Sequence, residues 1–332
     1  MIFRDITDVQ EVFAGPSIDN NFQTISPYLD DAKTHLYPFI SADFYEAIAS
    51  SESEDEVIVK VLKLMRKPLV HFAYLAYGVD GVMQIDDSGF HRVETQDQKS
   101  AYQWMMLRYD KARTTKAWES VEQLIIALEK IVKTEGHNEI FNTYKNSEER
   151  KYIKEFFVWR SDDFRRYRKV ENWFTIQVML GGMAWVQRNV IQNNIGTTMY
   201  NELLDKCLND DFTADQKKLL PYIKEAVINL AIYRTIEEGL LDQNEFGLTT
   251  RSIKSDQGAQ VTEAEESRIA WLKASAQKDG ETAIRLLRDF LNKNSAADKY
   301  SSYFNDPTLY VDPTVEKRPS VFKNVEGGTF WM

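Results

Sequence analysis

Few residues of this chain are of the types that carry covalent chemistry, and their spacing limits what they can do. The sequence holds four histidines and one cysteine, too few for a Cys/His structural zinc site. Asp86-Asp87-Ser88-Gly89 has the composition of a calcium loop. The corresponding Asn244-Glu245-Phe246-Gly247 later in the chain loses the alternating oxygen ligands, so a turn is expected instead. Glu263, Glu265 and Glu266 form the next carboxylate cluster, and Glu265 completes a capping pattern with Thr262, so helix initiation accounts for it. His71 lies on a helix whose counterpart carries Asn229 and is read as a hydrogen-bonded helix residue. The sequence sets no Asp, Ser or Cys partner beside His35, His91 or His137. Cys207 sits among Leu203, Leu204 and Leu208, where a thiol packs as a small hydrophobe. No phosphate loop, dinucleotide glycine motif, zincin motif or paired Glu-x-x-His appears. No catalytic, cofactor-binding or metal-binding residue is therefore assigned, and no enzyme activity is expected.

Two stretches carry residue types suited to contact rather than catalysis. Arg160, Arg165, Arg166, Arg168 and Lys169 form the most basic run, interleaved with Phe156, Phe157, Trp159, Phe164, Tyr167, Trp173 and Phe174. Arginine beside aromatics suits a phosphate, a stacked base or a protein interface. Asp162, Asp163 and Glu171 offer the alternative of a salt-bridged face. Toward the end of the sequence, Pro307, Pro313 and Pro319 argue for an extended arm. Its Tyr300, Tyr303, Phe304, Tyr310, Phe322, Phe330 and Trp331 require docking, on the chain's own body or on a neighbour. The candidate interface residues are Arg160, Arg165, Arg166, Arg168, Tyr310, Phe322, Phe330 and Trp331.

The elements that must position these residues occur twice. Leu69, Val70, Phe72 and Ala73 stand against Val227, Ile228, Leu230 and Ala231. The match continues through Gly81-Val82-Met83 against Gly239-Leu240-Leu241 and ends on Gly89-Phe90 against Gly247-Leu248. Upstream, Ile40, Phe44, Tyr45 and Ile48 match Ile195, Met199, Tyr200 and Leu203. Downstream, Lys111-Ala112, Glu119, Leu124-Ile125 and Leu128 match Lys273-Ala274, Glu281, Leu286-Leu287 and Phe290. The expected fold is all-α: two divergent copies of a helical module, an aromatic-rich linker, and an extended C-terminal arm. The expected divisions are module one at 1–130, the linker at 131–182, module two at 183–293 and the arm at 294–332. Ser26-Pro27 predicts a helix start, and Ser53–Glu56, Thr213–Gln216 and Thr262–Glu265 read as capping boxes. Pro68 and Pro221 are expected to kink or split the central helix of each copy. The loops Gln84–Val93 and Asp242–Thr250 each have room for a short hairpin. The stretch 131–182 is read as having no partner in the other copy.

With 332 residues the chain is long enough for two domains, each with a core. Its formal net charge of −10 gives little counterion release on nucleic acid, so DNA is not expected to be gripped. DNA sliding past an acidic wall remains compatible with that charge, as does a role of the charge in solubility alone. Arg4, Asp5 and Asp8 interrupt the apolar run an export signal needs, no stretch is apolar enough to span a bilayer, and a lone cysteine suits a reducing cytosol. Neither export nor a membrane partner is expected.

The opening, Phe22-Gln-Thr-Ile25-Ser-Pro27-Tyr-Leu29-Asp-Asp-Ala32, leads into Tyr37–Ile40, Phe44-Tyr45 and the long apolar helix of Lys67–Val79. This pattern resembles the tailed-phage head–tail connector (adaptor) class, and nearly the whole chain resembles a two-unit family from phages and prophages of gut bacteria, including crAss-like phages. The resemblance implies a structural protein that assembles with itself as a ring, commonly twelve-fold, in the virion neck. There it would lie beneath the portal protein and above tail or further neck-ring proteins, with DNA passing through, after assembly in the host cytoplasm. It implies no enzyme activity and no cofactor. Two other readings are an intracellular helical adaptor holding a protein partner and, last, a helical enzyme on phosphorylated substrates.

Overall fold

In the computed structural model, residues 2–13, 22–86, 89–92, 103–134, 136–244, 247–250 and 263–314 are described. A short lead helix, α1 (Ile6–Gln10), precedes the first module. That module comprises α2 (Phe22–Ala32), α3 (Tyr37–Ile40), α4 (Ala42–Ser50), α5 (Glu56–Val82), the hairpin β1 (Met83–Asp86) and β2 (Gly89–Arg92), α6 (Gln103–Ile131) and α7 (Phe141–Lys145). Three short helices follow: α8 (Glu148–Lys154), α9 (Ser161–Arg165) and α10 (Trp173–Val178). The second module repeats the order as α11 (Leu180–Val186), a π-turn at Gln187–Ile191, α12 (Gln192–Ile195), α13 (Thr197–Asn209), α14 (Ala214–Glu237), the hairpin β3 (Leu241–Asn244) and β4 (Gly247–Thr250), α15 (Glu263–Asn294) and α16 (Ser301–Phe304). The all-α, two-module architecture expected from the sequence is the architecture observed, with a small antiparallel hairpin added between the long helices of each copy.

Each module is a long antiparallel helix pair with shorter helices laid across it, and the apolar periods explain the packing. In α5, Ile58, Val61, Met65, Leu69, Phe72 and Ala73 are buried at three- and four-residue steps, facing Val121, Leu124, Ile125 and Leu128 of α6. In α14 and α15 the same role falls to Leu219, Ile223, Ala226, Val227 and Ala231 against Leu272, Ala276, Ala283, Leu287 and Leu291. The two helix pairs differ at one crossing. Trp118 of α6 packs edge-on against Phe72 with ring centroids 5.2 Å apart. The matching Gly280 lets α15 approach so closely that a Cβ there would lie 2.6 Å from Leu230.

The repeat also extends further than the sequence comparison reached, at both ends. The buried ladder Ile25, Leu29, Ala32, Leu36, Ile40 is answered by Met179, Met183, Val186, Ile191, Ile195. The second ladder carries one extra residue, and the π-turn at Gln187–Ile191 absorbs it. At the other end, Phe141 and Tyr144 of α7 pack on Phe44 of α4, and α16 packs on α13, the counterpart of α4. The Tyr144 hydroxyl donates to Glu129 at 3.1 Å and the Tyr303 hydroxyl to Asn292 at 2.9 Å, near the ends of α6 and α15. Two expectations are thereby corrected. Residues 131–182 do have a counterpart as far as α7, and residues 300–311 are the folded end of module two rather than an extended arm.

Several local expectations also change. Pro27 lies inside α2 rather than at its start. Asp55 caps α5 by accepting the Val57 amide at 2.8 Å, whereas the Ser53 hydroxyl accepts the Asp55 amide before the helix begins. Thr213 and Gln216 form the full reciprocal box, and Thr262 lies outside the described residues. α5 and α14 each run unbroken past Pro68 and Pro221.

Candidate interface surfaces

The polar clusters of the interior are engaged in holding helices together. Glu129 receives two bonds from the Arg150 guanidinium, at 2.7 and 3.2 Å, while the same group donates at 2.8 Å to the Leu208 carbonyl near the end of α13. Lys154 Nζ approaches the same carboxylate at 3.6 Å, and burial lowers its pKa. The Arg150 guanidinium, held by this buried carboxylate, thus ties α6 and α8 to the second module. Glu122 of α6 accepts the Ser161 amide and hydroxyl at 2.6 and 2.8 Å, and burial raises its pKa. Gln187, in the π-turn, accepts the Phe157 amide at 2.9 Å and donates to the Glu155 carbonyl at 3.1 Å. His71 is, as expected, a hydrogen-bonded helix residue: Nδ1 lies 3.1 Å from Arg113 Nη1, and burial with the adjacent guanidinium lowers its pKa to about 4. Cys207 is buried and its thiol is pushed up to about 12. Among the described residues, no three His, Cys, Asp or Glu side chains converge as a metal site would require, and no helix is long and apolar enough to cross a membrane.

The basic run divides in two. Arg160 and Arg165 both pair with Asp162 at 3.3 Å, and Arg166 is exposed. Arg168 turns inward, donating to Asn229 Oδ1 at 3.0 Å, to Ser275 Oγ at 3.1 Å and to Asp279. The assignment of Arg168 as an interface residue is corrected: it joins the linker to module two. Asn229 and Ser275 are the counterparts of His71 and Arg113. In module one the guanidinium comes from α6 itself, and in module two it is supplied by the linker at the same place. Asp163 and Glu171 pair with Lys224 at 2.7 Å and Lys111 at 3.0 Å, so the acidic neighbours in sequence serve more distant helices. The linker aromatics divide between the modules: Phe174 stacks on Trp118 of module one with centroids 4.9 Å apart, while Phe157 packs edge-on against Tyr200 and the Tyr167 hydroxyl donates to the Pro221 carbonyl in module two. Residues 169–171 also bond to both sides of Leu248 at 2.8 Å, adding a short strand to the hairpin β3–β4.

Tyr310 is likewise engaged within the chain, packed on Tyr303 and Phe304. Phe322, Phe330 and Trp331 lie outside the described residues. The large apolar side chains that reach the surface among the described residues, Val57, Val59, Tyr109 and Tyr152 as well as those on module two, are not among the candidate interface residues. Trp271 on α15 is 62% exposed, and its counterpart on α6, Tyr109, is 39% exposed. Leu286 is 41% exposed where its counterpart Leu124 is buried. Trp185, 46% exposed, walls a groove of about 350 Å³ with Leu230, Tyr233 and Ile284.

Two segments, 25–154 and 191–311, each match the family described as Family of unknown function (DUF6712), and together they cover most of the chain. The chain belongs to this family. Its DUF6712 unit therefore occurs twice: the first match runs from α2 to the end of α8, one helix past the end of module one, and the second runs from α12 past α16 to residue 311. No curated protein and no solved structure gives a match. Trp271, within the second DUF6712 match, and Trp185, just before it, are not marked by the sequence pattern because each reaches the surface singly, and an isolated aromatic leaves no period to detect.

Proposed function

We propose that this DUF6712 protein is a structural component of a tailed-phage neck, a connector that assembles with itself as a ring beneath the portal. The observation that carries this reading is the division of labour between interior and surface. The interior polar groups bind helix to helix, while α15 of module two presents Trp271 and Leu286, which are 62% and 41% exposed. A tryptophan exposed on the same helix as an exposed leucine favours contact with another protein surface, where aromatic residues are enriched. A surface on one module meeting an unlike surface on the next chain is a heterologous contact, which closes into a ring when the rotation permits. The order of the first helices, with Ile25, Leu29, Ala32, Ile40, Phe44 and Tyr45 all buried, agrees with the connector pattern of the sequence. Portal and tail proteins would then be the axial partners, with DNA in the lumen and no cofactor.

Native mass spectrometry and negative-stain microscopy of the full chain, alone and with a portal protein, test the proposal. Closed rings that grow with concentration are expected, and Trp271→Ala should weaken them while leaving the circular dichroism unchanged. A monomer at all concentrations, with and without portal, sinks the ring.

A further inference from the structure

The two modules carry the same groove, and only one is filled by described residues. In module one it lies between α2–α3, α5 and α6, and the chain that leaves the module returns to fill it. Trp173 packs on Phe39 at 5.0 Å, Phe174 stacks on Trp118 at 4.9 Å, and Ser161 bonds Glu122. Trp173 has no exposed surface. In module two the groove lies between α11–α12, α14 and α15, and its apolar wall is Trp185, Val190, Leu230, Tyr233 and Ile284. By register Leu230 stands for Phe72, Ile284 for Glu122 and Asn194 for Phe39. The change from Glu122 to Ile284 makes the second groove suited to an apolar occupant.

We propose that this groove is the seat of the same chain's Phe330-Trp331 pair. The spacing matches: Trp173 lies 29 residues beyond Tyr144, and Phe330 lies 27 beyond Tyr303, the equivalent tyrosine. The described chain runs out at Thr314, just past Val311, which lines a cleft continuous with the groove through Glu281 and Ile284. The path is short enough. From Asn292, beside Val311, to Gln277 at the far end of the groove, α15 rises about 22 Å, whereas the residues from Thr314 to Phe330 span about 50 Å extended. An aromatic platform is present as well. Gly280 removes the indole that Trp118 supplies in module one, and Trp185 supplies one from the opposite wall, its ring 5.5 Å from the Arg234 guanidinium.

This inference does not depend on ring assembly and is tested separately. In a Cys207→Ser background of the full chain, Gln277→Cys is combined with Thr329→Cys, and Lys63→Cys with Thr329→Cys serves as the control. A disulfide of monomer mass that forms faster in the first pair is expected. Equal rates, or a product of dimer mass, overturn the proposal. A second measurement is independent of disulfide geometry. Maleimide should label Gln277→Cys about tenfold more slowly in the full chain than in a chain ending at Thr314, the ratio expected if docking is worth ~1.4 kcal/mol. Phe330→Ala/Trp331→Ala in the full chain should restore the fast rate. Equal labelling in all three overturns the seat.

Discussion

At the scale of single residues, duplication supplies its own controls. His71 and Asn229 occupy one position, each accepting from an arginine, but only the imidazole titrates. With its folded pKa depressed to about 4 by burial and the adjacent guanidinium, below the ordinary histidine value of 6.5, His71 is neutral in the native state at pH 7. Unfolding therefore takes up a proton between those values, so its contribution is intact above pH 6.5 and is lost as pH falls toward 4. His71→Asn should remove a loss on the order of 2–3 kcal/mol at the acid end, and urea unfolding midpoints measured from pH 7 to 4 will show the flatter curve. An unchanged acid slope rules out His71 as its source. The Glu129 cluster gives a second case. Glu129→Gln leaves Arg150 and Lys154 buried without a counter-charge and should cost about 3–5 kcal/mol. Because an apolar core tolerates the absence of the whole cluster better than of part of it, Glu129→Leu/Arg150→Met/Lys154→Met should be more stable than the single variant in the same denaturation assay. A triple variant no more stable than Glu129→Gln contradicts this account.

At the scale of elements, the comparison of the modules separates what the sequence displays from what it conceals. The long helices were legible because α5, α6, α14 and α15 repeat buried positions over several turns, a pattern that survives divergence. The short elements were not. The counterpart of α2–α3 went partly unseen because the π-turn shifts the ladder by one residue midway, and α16 was obscured by prolines that follow it. Cap choice at α5 was misread because Ser53 and Asp55 both suit the role, and backbone geometry alone decides between them. The replacement of Arg113 by Ser275 is visible in the aligned sequences, but that Arg168 of the linker reaches the vacated place is visible only in the fold. Ser41 illustrates the same point at a turn. It precedes α4 with φ 63° and ψ 151°, and its counterpart Gly196 precedes α13 with φ 86° and ψ 149°. The Ser41 hydroxyl caps α4 through the Phe44 amide at 3.2 Å, a contribution that glycine replaces to within a few tenths of a kcal/mol. The backbone strain it carries is about 1–3 kcal/mol. Ser41→Gly should thus stabilise the chain by about 1 kcal/mol net, seen as a higher thermal midpoint, and a lower midpoint would show the cap to dominate.

At the scale of the whole molecule, the place where the folded body ends determines how assembly is tested. The sequence put the boundary at 293, and removing everything after Asn294 looked like removal of an arm. The structure moves it. Tyr300 donates to the Asp215 carbonyl at 2.6 Å, the Tyr303 hydroxyl bonds both Asn292 and the Leu309 carbonyl, and the Val311 amide bonds Asn292 at 3.0 Å. Tyr303 is fully buried, so its loss alone should cost about 3–5 kcal/mol, as for other large aromatics removed from a core. A chain ending at Asn294 should therefore lose stability and cooperativity in thermal unfolding, and any failure to form rings would say nothing about contacts between chains. A chain ending at Thr314 keeps all of these bonds. It should retain the unfolding enthalpy and far-ultraviolet dichroism of the body, which makes it the form in which ring assembly can be compared with the full chain. If the Asn294 form unfolds as cooperatively and at the same midpoint as the Thr314 form, α16 is not part of the second module and the two copies are unequal in length after all.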